Sequence, residues 1–231
     1  MQSYTSSYRI PDGAVTDVRP GNVTRRLACY DQLSAFREYD SNMSQPHSLA
    51  ESLAAVGEDG TVALRELGLP ADAAVLDVGT GNGKFAIWLA TQGFEVLTGE
   101  PETDTSHYAG KDWAANADEA GVRDRIRFEH FDASDMPFDT GTFDAVFFFG
   151  VLHHVDESVR GDVFREALRV TKEGGAVVFF EPRKELLEKM WEHDPGHPHA
   201  ANPADYLPDD SVHETRIEGS RMDVFVYRAA V

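Results

Sequence analysis

The chain has 231 residues, 42% of them apolar, and a formal net charge of −19 at pH 7, which suits one core-bearing domain with terminal additions. So acidic a surface repels phosphate backbones and argues against DNA or bulk RNA as a partner. No apolar run approaches the ~20 residues of a membrane span, the longest clear one running from Ala145 to Leu152, and the single cysteine, Cys29, excludes an intrachain disulfide and points to a reducing cytoplasm.

Met1-Gln2-Ser3-Tyr4 has no basic or apolar region of the signal-peptide kind. Residues up to about 20 carry Ser, Pro, Gly and Asp without periodicity and read as an irregular arm. From 22 to 67 the chain reads as helical pieces. Leu27, Tyr30, Leu33 and Phe36 recur at three-residue steps, then Leu49, Leu53 and Val56, then Val62, Leu64 and Leu67, with Pro46 and the Gly57/Gly60 pair as breaks. Residues 1–70 are therefore expected to form an arm and a helical cap, and residues 71–231 a single α/β unit. In that unit strands are expected at 74–78, 94–99, 126–130, 143–149, 176–181, 212–217 and 222–228, and helices near 83–92, 107–120, 158–172 and 183–192. Long or helical connections between the first five strands imply parallel crossovers. The last two, joined only by Glu218 to Arg221, must form an antiparallel hairpin. The expected fold is Rossmann-like: a seven-stranded, mostly parallel sheet with helices on both faces.

The most informative stretch is Val75-Leu76-Asp77-Val78-Gly79-Thr80-Gly81-Asn82-Gly83-Lys84-Phe85. An apolar strand ends in an acid, three glycines follow at alternate positions, and a helix begins. Glycines at φ > 0 let a ligand lie against bare backbone. A dinucleotide loop needs G-x-G-x-x-G, and here the third glycine comes one residue early. A phosphate-cradling Walker loop needs G-x-x-x-x-G-K-[ST], and Phe85 stands where the hydroxyl belongs. Two further acids, Glu100 and Asp132, end the next two strands. The fourth strand, Phe143 to Phe149, runs into Gly150-Val151-Leu152-His153-His154-Val155.

In this order the pieces resemble the class I S-adenosylmethionine-dependent methyltransferases, over roughly residues 73 to 181. Within that class they resemble the small-molecule group of ubiquinone and menaquinone biosynthesis. The resemblance implies S-adenosylmethionine as cofactor. It implies that Gly79, Thr80, Gly81, Asn82 and Gly83 pack against its amino acid and ribose parts, and that Asp77 orients the loop or the cofactor's ammonium. Glu100 would hold the ribose hydroxyls, Asp132 and the Ala133 amide the adenine, and Phe149 and Gly150 the methionine end. Glu100 lies in Gly-Glu-Pro-Glu; Pro101 departs from the pattern, and Glu102 is placed to share the ribose role. The amino-methylating DNA and protein branch carries Asn-Pro-Pro-Tyr where this chain has Phe-Phe-Gly-Val-Leu, so the acceptor is expected to be a small molecule.

A sulfonium methyl is already activated, so the enzyme mainly aligns a nucleophile and excludes water, worth ~7–11 kcal/mol of barrier. A base is needed only for a protonated nucleophile. His153 and His154 are the catalytic and acceptor-orienting candidates, because imidazole titrates near neutrality. Tyr39 of the cap is a further acceptor candidate. The segment His193-Asp194-Pro195-Gly196-His197-Pro198-His199 is expected to be a stiff surface loop or pocket lid without a metal, with His193, His197 and His199 as the ligands if one is held. Asp outnumbers Glu, Arg outnumbers Lys, and acids far outnumber bases, the balance of a salt-adapted, archaeal-type cytoplasm. A monomer or homodimer is expected. Two other readings stand beside methyl transfer: an S-adenosylmethionine-binding protein without turnover, and a nicotinamide-dependent oxidoreductase, which the glycine spacing and the short chain oppose.

Overall fold

In the computed structural model, residues 48–104, 109, 111–208 and 212–229 are described. The N-terminal arm and the part of the cap holding Tyr30, Phe36, Tyr39 and His47 lie outside them.

Helix α1 (Leu49–Leu67) starts at a capping box: the Ser48 hydroxyl accepts from the Glu51 amide, and the Glu51 carboxylate accepts from the Ser48 amide. It stops at Gly68, whose φ of 60° is left-handed. The expected break at Gly57 and Gly60 does not occur. Both glycines face the Trp88 indole, where an added Cβ would lie 2.6 Å and 2.5 Å from ring atoms. They are bare contact surface, and the contact outweighs the roughly 1 kcal/mol of helix propensity each forfeits.

The strands are β1 (Val75–Val78), β2 (Val96–Glu100), β3 (Ile126–His130), β4 (Phe143–Phe149), β5 (Thr171–Pro182), β6 (Val212–Glu218) and β7 (Met222–Ala229). The helices after α1 are α2 (Lys84–Thr91), α3 (Trp113–Glu119), α4 (Arg160–Val170) and α5 (Lys184–His193). Several boundaries differ from expectation, β5 beginning at Thr171 and not at 176. Helix α3 begins only at Trp113, where the Asp112 side chain accepts from the Ala115 amide. Helix α4 ends at Val170 because Thr171 turns extended and pairs with Phe143. The pairing then slips between Phe143 and Ala145, beside Gly174 at φ 76°, before the regular pairing of Ala176–Phe180.

The strand order is β3-β2-β1-β4-β5-β7-β6. The first five strands are parallel, and β7 is antiparallel to both β5 and β6. Alternation along β4 and β5 sends Phe147, Val178 and Phe180 to one face, with Phe85 and Trp88 of α2, and Phe148, Val177 and Phe179 to the other, with Phe164 of α4. Both faces are covered, so the parallel strands read as continuous apolar runs. The chain reverses direction across the sheet between β1 and β4. Their carboxyl ends flank the crevice where open α/β sheets bind ligands.

Candidate active site

The loop after β1 is built for close approach. Gly79, Gly81 and Gly83 have φ of 88°, 50° and 79°, a region only glycine enters freely. A Cβ at Gly79 would lie 2.6 Å from Val151, and one at Gly83 2.9 Å from Trp113 Cβ. The Gly79 amide donates to Gly99 O at 2.8 Å, the Gly83 amide to Thr80 O at 2.8 Å, and Asn82 O accepts from Asn116 Nδ2 at 2.8 Å.

Beneath the loop runs a relay of polar groups. Thr80 Oγ1 meets Thr98 Oγ1 at 2.9 Å, and Thr98 Oγ1 donates to Asp77 Oδ2 at 2.8 Å. Asp77 is 2% exposed, and its Oδ1 has no hydrogen-bond partner among the described residues. Burial pushes its carboxyl up to about 7; the Thr98 hydroxyl opposes this and the nearby Glu100 charge adds to it. Glu100 Oε2 accepts from the Gly81 amide at 2.9 Å, so the acid that ends β2 holds the loop directly, whereas Asp77 reaches it only through Thr98 and Thr80.

Asp132 lies one strand further out. Its Oδ1 accepts from the Ser134 amide (2.8 Å) and hydroxyl (2.7 Å), a local turn with Ala133 at its centre. The group is exposed, as is Asn82. Phe149 stacks on Phe85 (4.8 Å between centroids) and tilts against Phe180 (4.9 Å), so its ring belongs to the sheet's α2 face. Gly150 turns at φ 68° and passes beside the His153 ring; a Cβ there would lie 3.9 Å from His153 Cε1.

His153 and His154 sit on a short 3-10 turn, Leu152–His154, and the structure places them in different surroundings. His153 is 4% exposed and its Nδ1 lies 2.8 Å from Glu181 Oε2; Glu181 is 2% exposed. The contact occupies Nδ1 and leaves Nε2 as the nitrogen not turned to the carboxylate. His154 is exposed. Arg160 braces the turn through Val155 O at 3.0 Å and His153 O at 3.3 Å.

The connection after α5 is not purely a surface loop. His197 is 7% exposed and packs against His153 and His154, with ring centroids 5.3 Å and 5.0 Å away. His193 instead lies near Lys189 O, and His199 packs edge-on against Trp191; neither joins His197. Glu181 is the residue sequence reasoning missed. Its signal was present, an acid at a strand end like Asp77 and Glu100, but its partners lie 28 and 20 residues away in the chain. Lys84 was also missed. It lines a cavity of about 470 Å³ with Ser48, Asn82 and Asn116, and burial, then the neighbouring Arg221 charge, lowers its ammonium below the usual range. Tyr39 and Glu102 differ: Tyr39 lies outside the described residues, and Glu102 is exposed just past β2.

The site is thus a glycine cradle at the β1/β4 switch point, with Asp77 within β1, Glu100 at the end of β2 and Asp132 just after β3. Residues 76–179 match the family model described as a methyltransferase domain. The chain is 34% identical over 134 residues to a 27-O-demethylrifamycin SV methyltransferase of Amycolatopsis mediterranei (56% of this chain, 47% of that one). It is 31% identical over 171 residues to a demethylmenaquinone methyltransferase of Clavibacter sepedonicus (71% and 59%). The chain thus spans about half the length of these relatives. A crystal structure of a putative S-adenosyl-L-methionine-dependent methyltransferase from Methanococcus maripaludis superposes with a TM-score of 0.62 at 16% identity, covering 94% of this chain and 98% of that one; it shares the fold.

Proposed function

We propose that the chain transfers the methyl group of S-adenosylmethionine to a small-molecule acceptor. The observation that carries this reading is the cradle: a loop of left-handed glycines over a buried Asp77 whose Oδ1 has no partner among the described residues, with Glu100 anchored on the Gly81 amide. A buried acceptor atom without a donor costs stability until a ligand supplies one. The cofactor supplies a methyl already activated on sulfonium. The chain's own residues then bind and align. Gly79, Thr80, Gly81, Asn82 and Gly83 face its amino acid and ribose parts, and Asp77 its ammonium. Glu100 takes the ribose hydroxyls, Asp132 and Ala133 the adenine edge, and Phe149 and Gly150 the methionine end. His153, oriented by Glu181, and His154 position the acceptor, and His153 Nε2 is the atom placed to take a proton from a protonated nucleophile.

The acceptor class is supported by relatives named for a rifamycin and a menaquinone precursor. The basic cluster of Arg123, Arg125 and Arg127 offers no phosphate-binding patch: Arg125 pairs with Glu95, Arg127 with Glu129, and Arg123 lies over Trp113. Among the described residues no helix is long and apolar enough to cross a membrane. The net charge of −19 supports a chain working in a salt-rich medium without nucleic acid.

Isothermal titration with S-adenosylmethionine, S-adenosylhomocysteine and NAD tests the reading. Both adenosyl ligands are expected to bind; response to NAD alone overturns it. Glu100→Ala is expected to weaken cofactor binding at least tenfold, about 1.4 kcal/mol. Unchanged affinity would move the ribose role to Glu102. Turnover is read as a mass shift in a panel of acceptor metabolites incubated with labelled cofactor; binding with no shifted product across the panel leaves a binding protein instead.

A further inference from the structure

We propose that His153, His154 and His197 together bind one divalent transition-metal ion of the zinc type. One imidazole nitrogen from each lies within 4.8 Å of the other two. Tetrahedral zinc with nitrogen ligands at ~2.0–2.1 Å needs donors roughly 3.3 Å apart, so small side-chain rotations close the triangle. Imidazole suits zinc, copper and nickel and does not suit magnesium or calcium.

Two features beyond proximity point to a ligand site. The Glu181 carboxylate stands behind His153, 2.8 Å from its Nδ1, and so aims Nε2 forward; a carboxylate behind a histidine is the usual outer support of a metal ligand. The same Oε2 accepts from the Ala201 amide at 2.9 Å. One buried carboxylate therefore registers the turn bearing His153 and His154 against the segment bearing His197. That segment is held on its own account. Trp191 Nε1 donates to His197 O at 2.7 Å, the His197 amide donates to Asp194 O at 3.0 Å, and Pro195 and Pro198 flank it with fixed φ. The site is thus ordered before any ion arrives. Two of its rings are buried and His154 is exposed, so it opens to solvent at His154 and leaves a fourth coordination position on that side. This is the open arrangement of catalytic zinc. An ion there would sit past the end of β4 beside Gly150; on the methyl-transfer reading, that fourth position would take an acceptor oxygen, and His153 Nε2, holding the ion, would position the acceptor through it in place of taking a proton.

The test uses tag-free, full-length protein stripped with chelator, dialysed, and titrated with Zn²⁺ and with Co²⁺. About one ion per chain is expected, with the Co²⁺ complex showing the visible bands of a four- or five-coordinate nitrogen site. His154→Ala and His197→Ala are each expected to weaken Zn²⁺ binding by about 100-fold or more, with circular dichroism confirming that both fold. His154 is exposed, so its variant remains informative even where His197→Ala unfolds. The double variant His193→Ala/His199→Ala is expected to keep full stoichiometry. Sub-stoichiometric Zn²⁺ in the parent protein, or a His154→Ala variant that binds as tightly, overturns the proposal. Titration with S-adenosylmethionine in chelator reports on the methyl-transfer reading separately.

Discussion

Asp77 is sealed from water, receives a single hydroxyl and faces a second acid, which is why its carboxyl is pushed up to about 7 from 3.8. The folded chain therefore holds a proton there that the unfolded chain has lost above about pH 4. Linkage sets the sign: the Asp77 contribution to stability is fully present below pH ~4 and is lost as pH rises through about 7. Melting curves of the parent and of Asp77→Asn, taken from pH 4 to pH 8, are expected to diverge, the variant gaining on the parent up to about pH 7 and then running parallel. A constant difference across that range would mean that Asp77 is ionised throughout. At this scale the positions of Asp77 and Glu100 were legible, because an acid closing an apolar strand leaves a recognisable trace. The 2.8 Å pairing of His153 with Glu181 was not, because nothing local links a turn to a strand end 28 residues on.

Helix α1 shows how an element can be named correctly in pieces and still be misjudged as a whole. Its glycines looked like breaks because propensity is counted residue by residue, and they serve instead to bring Trp88 against the helix backbone. The same helix carries Asp59, fully buried, which accepts from the amides of Ser220, Arg221 and Met222 at 2.5, 3.1 and 2.9 Å. One side chain thus ties α1 to the turn between β6 and β7. Burial keeps its carboxyl above the usual range although three amide donors oppose it. Asp59→Ala leaves those amides without their acceptor, at about 1–3 kcal/mol for each one that water does not reach, and is expected to cost about 3 kcal/mol in urea unfolding. Asp59→Asn keeps one acceptor oxygen and is expected to lose less. A loss below about 1 kcal/mol for Asp59→Ala would show that the turn holds itself.

The whole molecule carries 40 acidic residues against 21 Lys and Arg. The ion pairs in the structure are mostly exposed ones, such as Arg125–Glu95 and Arg127–Glu129, and pairs of that kind contribute little, about 0–1 kcal/mol each. Self-repulsion of the remaining acids is the larger global term. Salt shortens its reach from about 10 Å at 0.1 M to about 3 Å at 1 M, so the melting temperature is expected to rise steadily between 0.1 and 2 M KCl. A flat or falling curve would remove the case for salt adaptation. Composition fixes the sign of this effect with no knowledge of the fold.

The sequence by itself determined the alternation of strands and helices, the terminal hairpin, the glycine loop and the acids at or just past the ends of the first three strands. Each is a local pattern, set by side-chain period, by glycine's access to positive φ, or by the shortness of a connection. Only the tertiary structure decided that β7 enters the sheet between β5 and β6, that α1 runs unbroken, and that His197 leaves its own loop to join His153 and His154 over Glu181. These depend on contacts between residues far apart in the chain, where shape, burial and the demand of each buried polar group for a partner select one arrangement among many that the local patterns allow.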